Sequence, residues 1–243
     1  MSEISLERAL KLLREGELKE AKGYLPWGSN YTVLSDITDG ELEALAVYKP
    51  RRGERPLWDF PDGTLCMREV AAYLISENMG WHIVPPTVLR DGPYGIGMVQ
   101  LFVPHDPDEN YFTFGEKPRY KGQLRRIALF DHIVNNADRK GGHCLLDQQG
   151  MVWAIDHGIC FHVQNKLRTV IWEFAGEPIP TALLDEVHQL CARLDSRSEF
   201  ACQIEELLSR SEVAALKRRI NRLVETGTYP RPSGGRSYPW PPV

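Results

Sequence analysis

An α+β chain in two lobes is what the sequence predicts, and three observations carry the prediction. Residues 24–103 set short strand-like runs around a single helical stripe; an irregular acidic stretch follows at 104–117; beyond it the apolar spacing is helical, broken by one short hairpin. The divisions this suggests are a first lobe at 1–103, a second at 104–228 and a proline-rich tail at 229–243. With 243 residues, 42% of them apolar, the chain has enough material to bury a core of that size, which excludes wholesale disorder.

Each element has its own signature. Ser5 is placed to cap a helix with Leu6, Ala9, Leu10 and Leu13 on one face and Gly16 as its stop. Turn residues then separate Tyr31–Ile37 from Leu42–Lys49, which reads as a hairpin, with Ala44, Ala46 and Tyr48 alternating against Leu45, Val47 and Lys49. After a loop rich in Arg and Pro, Met67, Val70, Ala71, Leu74 and Ile75 form a helical stripe that ends near Gly80. Two further strands are expected at Val84–Arg90 and Gly97–Val103. Helical spacing at Leu124, Ile127, Phe130 and Val134 runs to Asn135, with Asn135 and Asn136 as the cap, and the pair Gly141-Gly142 excludes its continuation. Cys144–Leu146 and Val152–Ile155 flank a turn as a small hairpin. Three helices follow, on Leu183, Val187, Leu190 and Leu194, on Phe200, Ile204 and Leu207, and on Val213, Leu216, Ile220 and Leu223. The tail is expected to be extended or mobile.

Composition narrows the function classes. A net charge of -4 gives no reason to expect a nucleic-acid groove or an anionic membrane as the main partner. Five cysteines with no CxxC pair argue against a disulfide framework or a zinc ribbon and point to reduced thiols in the cytoplasm. No run approaches the ~20 apolar residues of a membrane span, and Met1-Ser2-Glu3 lacks the layout of a secretory signal.

Chemistry concentrates in two segments. Asp138-Arg139-Lys140-Gly141-Gly142-His143 leaves a helix and puts Asp138 at a loop tip, while Ile155-Asp156-His157-Gly158 ends a strand with a carboxylate free to face the same cleft. Phosphoryl transfer needs such a pair, one acid beside the acceptor hydroxyl and one on a metal ion. Taken singly the residues have ordinary readings. Lys49 is a strand-end lysine, Glu69 a solvated helix charge, Asp156 a turn former, His143 a core histidine, Arg139 and Lys140 solvated loop cations, and Lys217, Arg218, Arg219 and Arg222 a solvated helix face.

The ordered set is what changes their weight. Phe130-Asp131-His132-Ile133-Val134-Asn135-Asn136-Ala137-Asp138-Arg139, a ligand position five residues after Asp138, and the Ile-Asp-His-Gly turn resemble the phosphatidylinositol 3- and 4-kinase-like branch of the protein-kinase-like superfamily, and within it a bacterial family sharing that likeness. Upstream, Ala46-Val47-Tyr48-Lys49-Pro50 and Arg68-Glu69-Val70-Ala71-Ala72-Tyr73 extend the resemblance. It implies a kinase fold with a β-rich first lobe and a mostly helical second lobe, binding ATP and a divalent metal, Mg or Mn. It also implies roles: Lys49 on the nucleotide phosphates, Glu69 as its partner, Asp138 at the acceptor hydroxyl, and Asp156 with His143 on the metal. Gln100, Leu101, Phe102 and Val103, within Met98–Val103, would contact adenine, and Gly28, Ser29 and Asn30 would cover the phosphates. His143 stands where these kinases carry asparagine, and the 27–31 loop lacks the Gly-x-Gly-x-x-Gly pattern. The resulting expectation is a phosphotransferase acting on an unspecified hydroxyl acceptor. The alternatives are a nucleotide-binding pseudokinase, a metal hydrolase built on His143, His157, Asp138 and Asp156, and nucleotidyl transfer.

Overall fold

The computed structural model describes residues 4–24, 31–232 and 234–243. Ser5 accepts a hydrogen bond from the Arg8 backbone N–H and caps α1 (Leu6–Glu15), which ends at Gly16. Its buried side is Ala9, Leu12 and Leu13, and Leu6, expected on that face, is exposed. Five antiparallel strands follow, β1 (Glu17–Tyr24), β2 (Val33–Thr38), β3 (Glu43–Pro50), β4 (Thr87–Gly92) and β5 (Gly95–Leu101), in the sheet order β1-β2-β3-β5-β4. The hairpin β2–β3 forms where it was expected, with Val33 opposite Tyr48 and Ile37 opposite Ala44. Strand β1 was not foreseen, because Glu17-Leu18-Lys19-Glu20 offers little apolar material to a reading based on periodicity. Alternation along β3 buries Ala46 and Tyr48 against α1 and sends Val47 and Lys49 to the opposite face of the sheet.

Between β3 and β4 lies α2 (Leu65–Asn78). Thr64 provides no side-chain cap; Glu54 reaches across instead and accepts from the backbone N–H groups of Leu65 and Cys66 at 3.0 and 2.8 Å. The sequence marked one apolar stripe on this helix, yet burial extends nearly all round it and includes Arg68, Glu69 and Ser76. The reason is that α2 is packed on both sides, by the sheet and by a helix from the far end of the chain.

The second part contains α3 (Tyr111–Phe114), α4 (Lys121–Val134), the hairpin of β6 (Cys144–Leu146) and β7 (Val152–Ala154), and the helices α5 (Thr181–Asp195), α6 (Glu199–Leu207) and α7 (Arg210–Thr226). The short α3 interrupts the stretch expected to be irregular. Helix α4 ends at Asn135, whose left-handed backbone (φ 56°) closes the last turn as the sequence suggested. Helix α6 packs on α2, and one apolar core runs from Ala71, Tyr73 and Ile75 of α2 through Phe130 and Ile133 of α4 to Leu190, Ile204 and Leu216. Among the described residues, no helix is long and apolar enough to cross a membrane.

A buried ion pair pins α2 to this second part. Arg68 donates to Glu212 at 2.5 Å and to the carbonyl oxygen of Cys160 at 2.7 Å, and its side chain is 2% exposed. Glu212 also closes the capping box of α7 by accepting from the Ser209 backbone N–H. Glu212→Gln keeps an acceptor for that cap and removes the charge facing Arg68. It should cost roughly 3 kcal/mol in urea unfolding; a change under about 0.5 kcal/mol, typical of exposed sites, would show that the pair contributes nothing.

The tail is extended and docked. Tyr229 is buried, Thr169 N–H and Trp172 Nε1–H both donate to the Ser237 carbonyl oxygen, and Gly141 N–H donates to that of Pro242.

Candidate active site

Strand β3, helix α2 and the turn after β7 bring three charged side chains to one point. Lys49 Nζ lies 2.7 Å from Glu69 Oε1 and 2.7 Å from Asp156 Oδ1. Glu69 is almost fully buried, and its other oxygen accepts from the His157 backbone N–H at 2.7 Å, so α2 holds both the lysine and the turn that carries Asp156. Asp156 has φ 61°, a left-handed conformation that Asp tolerates better than most residues and that turns its carboxylate toward Lys49. Burial works against the Lys49 ammonium, but Asp156 and Glu69 outweigh it and hold its pKa above the ordinary lysine value. Burial likewise opposes the Asp156 charge, and Lys49 overcomes it, so this carboxyl stays far below the carboxylate range. Glu69 is pushed up by burial, with Lys49 pulling the other way.

The polar cluster closes one end of a cleft of about 260 Å3. Val47, Leu101, Leu145 and Ile155 give it apolar walls; Gln100, Phe102, Val103, His105, Gly142 and Thr32 complete the lining. An apolar slot with a fixed ammonium at its end suits a flat base joined to an anionic chain. Of the residues expected on the nucleotide, Lys49, Gln100, Leu101, Phe102 and Val103 all line this cleft, although the Gln100 side-chain amide is turned to Thr87 Oγ1 at 2.8 Å. Gly28, Ser29 and Asn30 lie outside the described residues.

His143 Nε2 stands 3.2 Å from Asp156 Oδ2. Its Nδ1 is 2.9 Å from the Asp138 carbonyl oxygen, which can only accept, and 3.4 Å from the Lys140 backbone N–H, a donor; the closer contact places the ring proton on Nδ1. Burial pushes His143 down to about 4 against the pull of Asp156, which leaves the ring neutral. A lone pair on Nε2 therefore faces a carboxylate oxygen with no proton between them, an arrangement that a divalent cation would satisfy. Among the described residues no cluster of three His, Cys, Asp or Glu side chains forms a closed metal site, so a cation here needs further ligands, such as phosphate oxygens and water. His157 is fully buried, with Nε2 on Arg139 and Nδ1 without a partner among the described residues.

Asp138 sits in the loop after α4, with Lys140 Nζ 3.5 Å from its carboxylate. Burial raises its pKa to about 6, offset in part by Lys140 and reinforced by the charge of Asp156. A carboxylate tuned to that range is suited to accept a proton near neutral pH.

Arg139 corrects the expectation of a solvated loop cation: it is completely buried. Its Nε and Nη2 clasp Asp131 at 3.0–3.1 Å, Nη1 donates to the carbonyl oxygens of His143 and Ile155, and Nη2 meets His157 Nε2 at 2.7 Å. Asn136 joins the network by donating to Asp131 and accepting from the Asp138 backbone N–H. One guanidinium thus ties the helix before the loop, the loop itself and the strand carrying Asp156. Sequence reasoning missed this hub; the available signal was Asp131 on the apolar side of α4, one residue from Phe130.

Comparison with known proteins agrees with the fold. Residues 5–213 match the family model "Phosphatidylinositol 3- and 4-kinase". Protein Rv2133c of Mycobacterium tuberculosis is 41% identical over 95% of this chain and 94% of its own length. Phosphatidylinositol 4-kinase gamma 4 of Oryza sativa subsp. japonica is 32% identical over 48% of this chain, and the match spans only 24% of the plant protein. Among solved structures, a Golgi casein kinase with Mn/ADP bound is similar with a TM-score of 0.55, 13% identity, and coverage of 90% of this chain and 74% of that one. The Helicobacter pylori proinflammatory kinase CtkA gives 0.53, 13% identity, and coverage of 89% and 94%. At such identities the structures speak for the fold alone, which is the two-lobed kinase-like one. By the family match across most of its length, this chain belongs to the phosphatidylinositol 3- and 4-kinase family.

Proposed function

We propose that this protein transfers a phosphoryl group from ATP to a hydroxyl acceptor with the help of a divalent metal ion. The observation that carries this reading is the Lys49 ammonium, held at 2.7 Å by both Glu69 and Asp156 at the end of an apolar cleft. In this reading Leu101–Val103 bind the base, Lys49 neutralises phosphate oxygens, and Glu69 positions Lys49. Asp156 and His143 would hold the metal ion, which supplies charge neutralisation on the phosphates. Asp138 takes the proton of the acceptor hydroxyl, and its carbonyl fixes the His143 tautomer. An imidazole ligand favours manganese over magnesium. The division at residue 103, just past β5, belongs to the same reading, with the nucleotide seated between the parts. So does the cytoplasm as its location, where ATP is present and the five free thiols stay reduced.

The test is mass measurement of acceptors after incubation with ATP and manganese. A phosphoryl addition by the wild type that Asp138→Asn lowers by about 10²-fold or more is the expected result. Unchanged transfer in that variant would remove the mechanism, and an adenylyl addition would replace it by nucleotidyl transfer. His143 also motivates a second reading, a pseudokinase: calorimetric ATP binding by the wild type with no product under any metal would favour it.

A further inference from the structure

A larger cavity, of about 530 Å3, lies away from the cleft and shares no lining residue with it. Helix α7 contributes Arg218, Arg219 and Arg222, the segment after it Arg231, and the loop beyond Asp156 Val163, Asn165, Leu167 and Trp172. Four guanidiniums therefore border one concavity whose lining contains no Asp or Glu. Of the face that the sequence offered as solvated, Arg218 and Arg222 are indeed open to solvent, and with Arg219 they line this concavity.

Three features separate it from an ordinary charged surface. Arg218 and Arg222 are one helical turn apart, where like charges repel unless something negative lies between them. Arg219 is fixed by donating from Nε to the Ile133 carbonyl oxygen at 3.0 Å and from Nη1 to that of His162 at 3.3 Å, while its buried Nη2 has no partner. Among the described residues its charge meets no carboxylate within ion-pair distance, and burial lowers its pKa to about 10. Arg231 lies over Gly176, where a Cβ would come within 2.4 Å of the guanidinium, so a residue without a side chain makes room for it. The floor is aromatic. Trp172 packs edge-on to His132 with ring centroids 5.7 Å apart, and burial keeps His132 neutral by pushing it down to about 4.

We propose that this cavity binds a small polyanion, carrying two or more phosphate-like groups beside a planar or apolar part, through Arg218, Arg219, Arg222 and Arg231. Guanidinium forks match phosphate oxygens in pairs, and the aromatic floor takes the uncharged part. The concave form and its volume suit a small molecule better than an extended macromolecular surface. The site is independent of the nucleotide reading. Its wall at Asn165 and Leu167 nevertheless belongs to a segment tied to the catalytic loop, through Asn135 to the Lys166 backbone N–H and through Asn136 to that of Arg168.

Calorimetry with pyrophosphate and with naphthyl phosphate, in divalent-free buffer at about 50 mM salt, tests the proposal. Both should bind the wild type, and Arg218→Ala combined with Arg222→Ala should weaken each by about tenfold or more. Arg231→Ala alone should do so by a smaller factor, and Lys49→Met should leave both within about twofold. The three substituted arginines are solvent-facing, so unchanged circular dichroism is expected and separates lost binding from lost fold. Absence of binding to the wild type, or binding that depends on Lys49 instead of the arginines, overturns the site. Arginine-dependent binding of single-stranded RNA or anionic vesicles, with none of either phosphate, overturns the small-molecule assignment.

Discussion

Asp156→Asn is expected to lower phosphate transfer by about three orders of magnitude, ~4 kcal/mol of transition-state stabilisation. The substitution preserves shape, and the new amide can still accept from Lys49 and can donate to His143 Nε2. The local fold should therefore survive, but the paired lone pairs that suit a cation are gone, since the amide N–H now fills the 3.2 Å gap. The same change deletes the charge that does most to hold Lys49 ionised. Single-turnover transfer, measured beside ATP binding in the absence of metal, separates the two consequences. Metal-free binding should change little and manganese stimulation should vanish; wild-type turnover in this variant would end the assignment of Asp156.

The second large effect is on stability. Arg139→Met should destabilise the protein by roughly 3–5 kcal/mol, because it strands the Asp131 carboxylate where no water reaches it. In a chain of this length that corresponds to a fall in Tm of about 10 °C. Adding Asp131→Leu to the same variant should restore part of the loss, since an apolar pair tolerates burial where a lone charge does not. Recovery of stability without recovery of activity would separate the two duties of the hub, because the carbonyls of His143 and Ile155 would remain without their donor. A single variant melting with the wild type would mean that Asp131 finds another partner.

Much of this site was legible in the sequence because its parts sit at ends of elements with strong signatures. Lys49 lies near the end of an alternating strand, Asp138 follows a helix closed by Asn135, and Asp156 follows a strand two residues before Gly158, so each had a local place before the family resemblance ordered them. Their convergence was expected from the family resemblance, and the 2.7 Å contacts place Lys49, Glu69 and Asp156 together. What escaped has a common physical cause. Arg68, Arg139 and Glu212 are charged residues, a type ordinarily exposed, and each is buried because an opposite charge neutralises it, for Arg139 the Asp131 carboxylate eight residues back. Pairing over 144 residues, as between Arg68 and Glu212, leaves no periodic trace. Strand β1 escaped for a different reason: its place in the sheet comes from its pairing with β2, and its own apolar content is low.

The docked tail has a practical bearing on every experiment above. Because Pro242 accepts a hydrogen bond from Gly141, an affinity tag or reporter joined after Val243 would emerge beside the loop that carries Asp138, and on the flank that Ser237 already shares with Thr169 and Trp172. Under the proposed function, in which Asp138 meets the acceptor, a bulky appendage here would crowd that carboxylate.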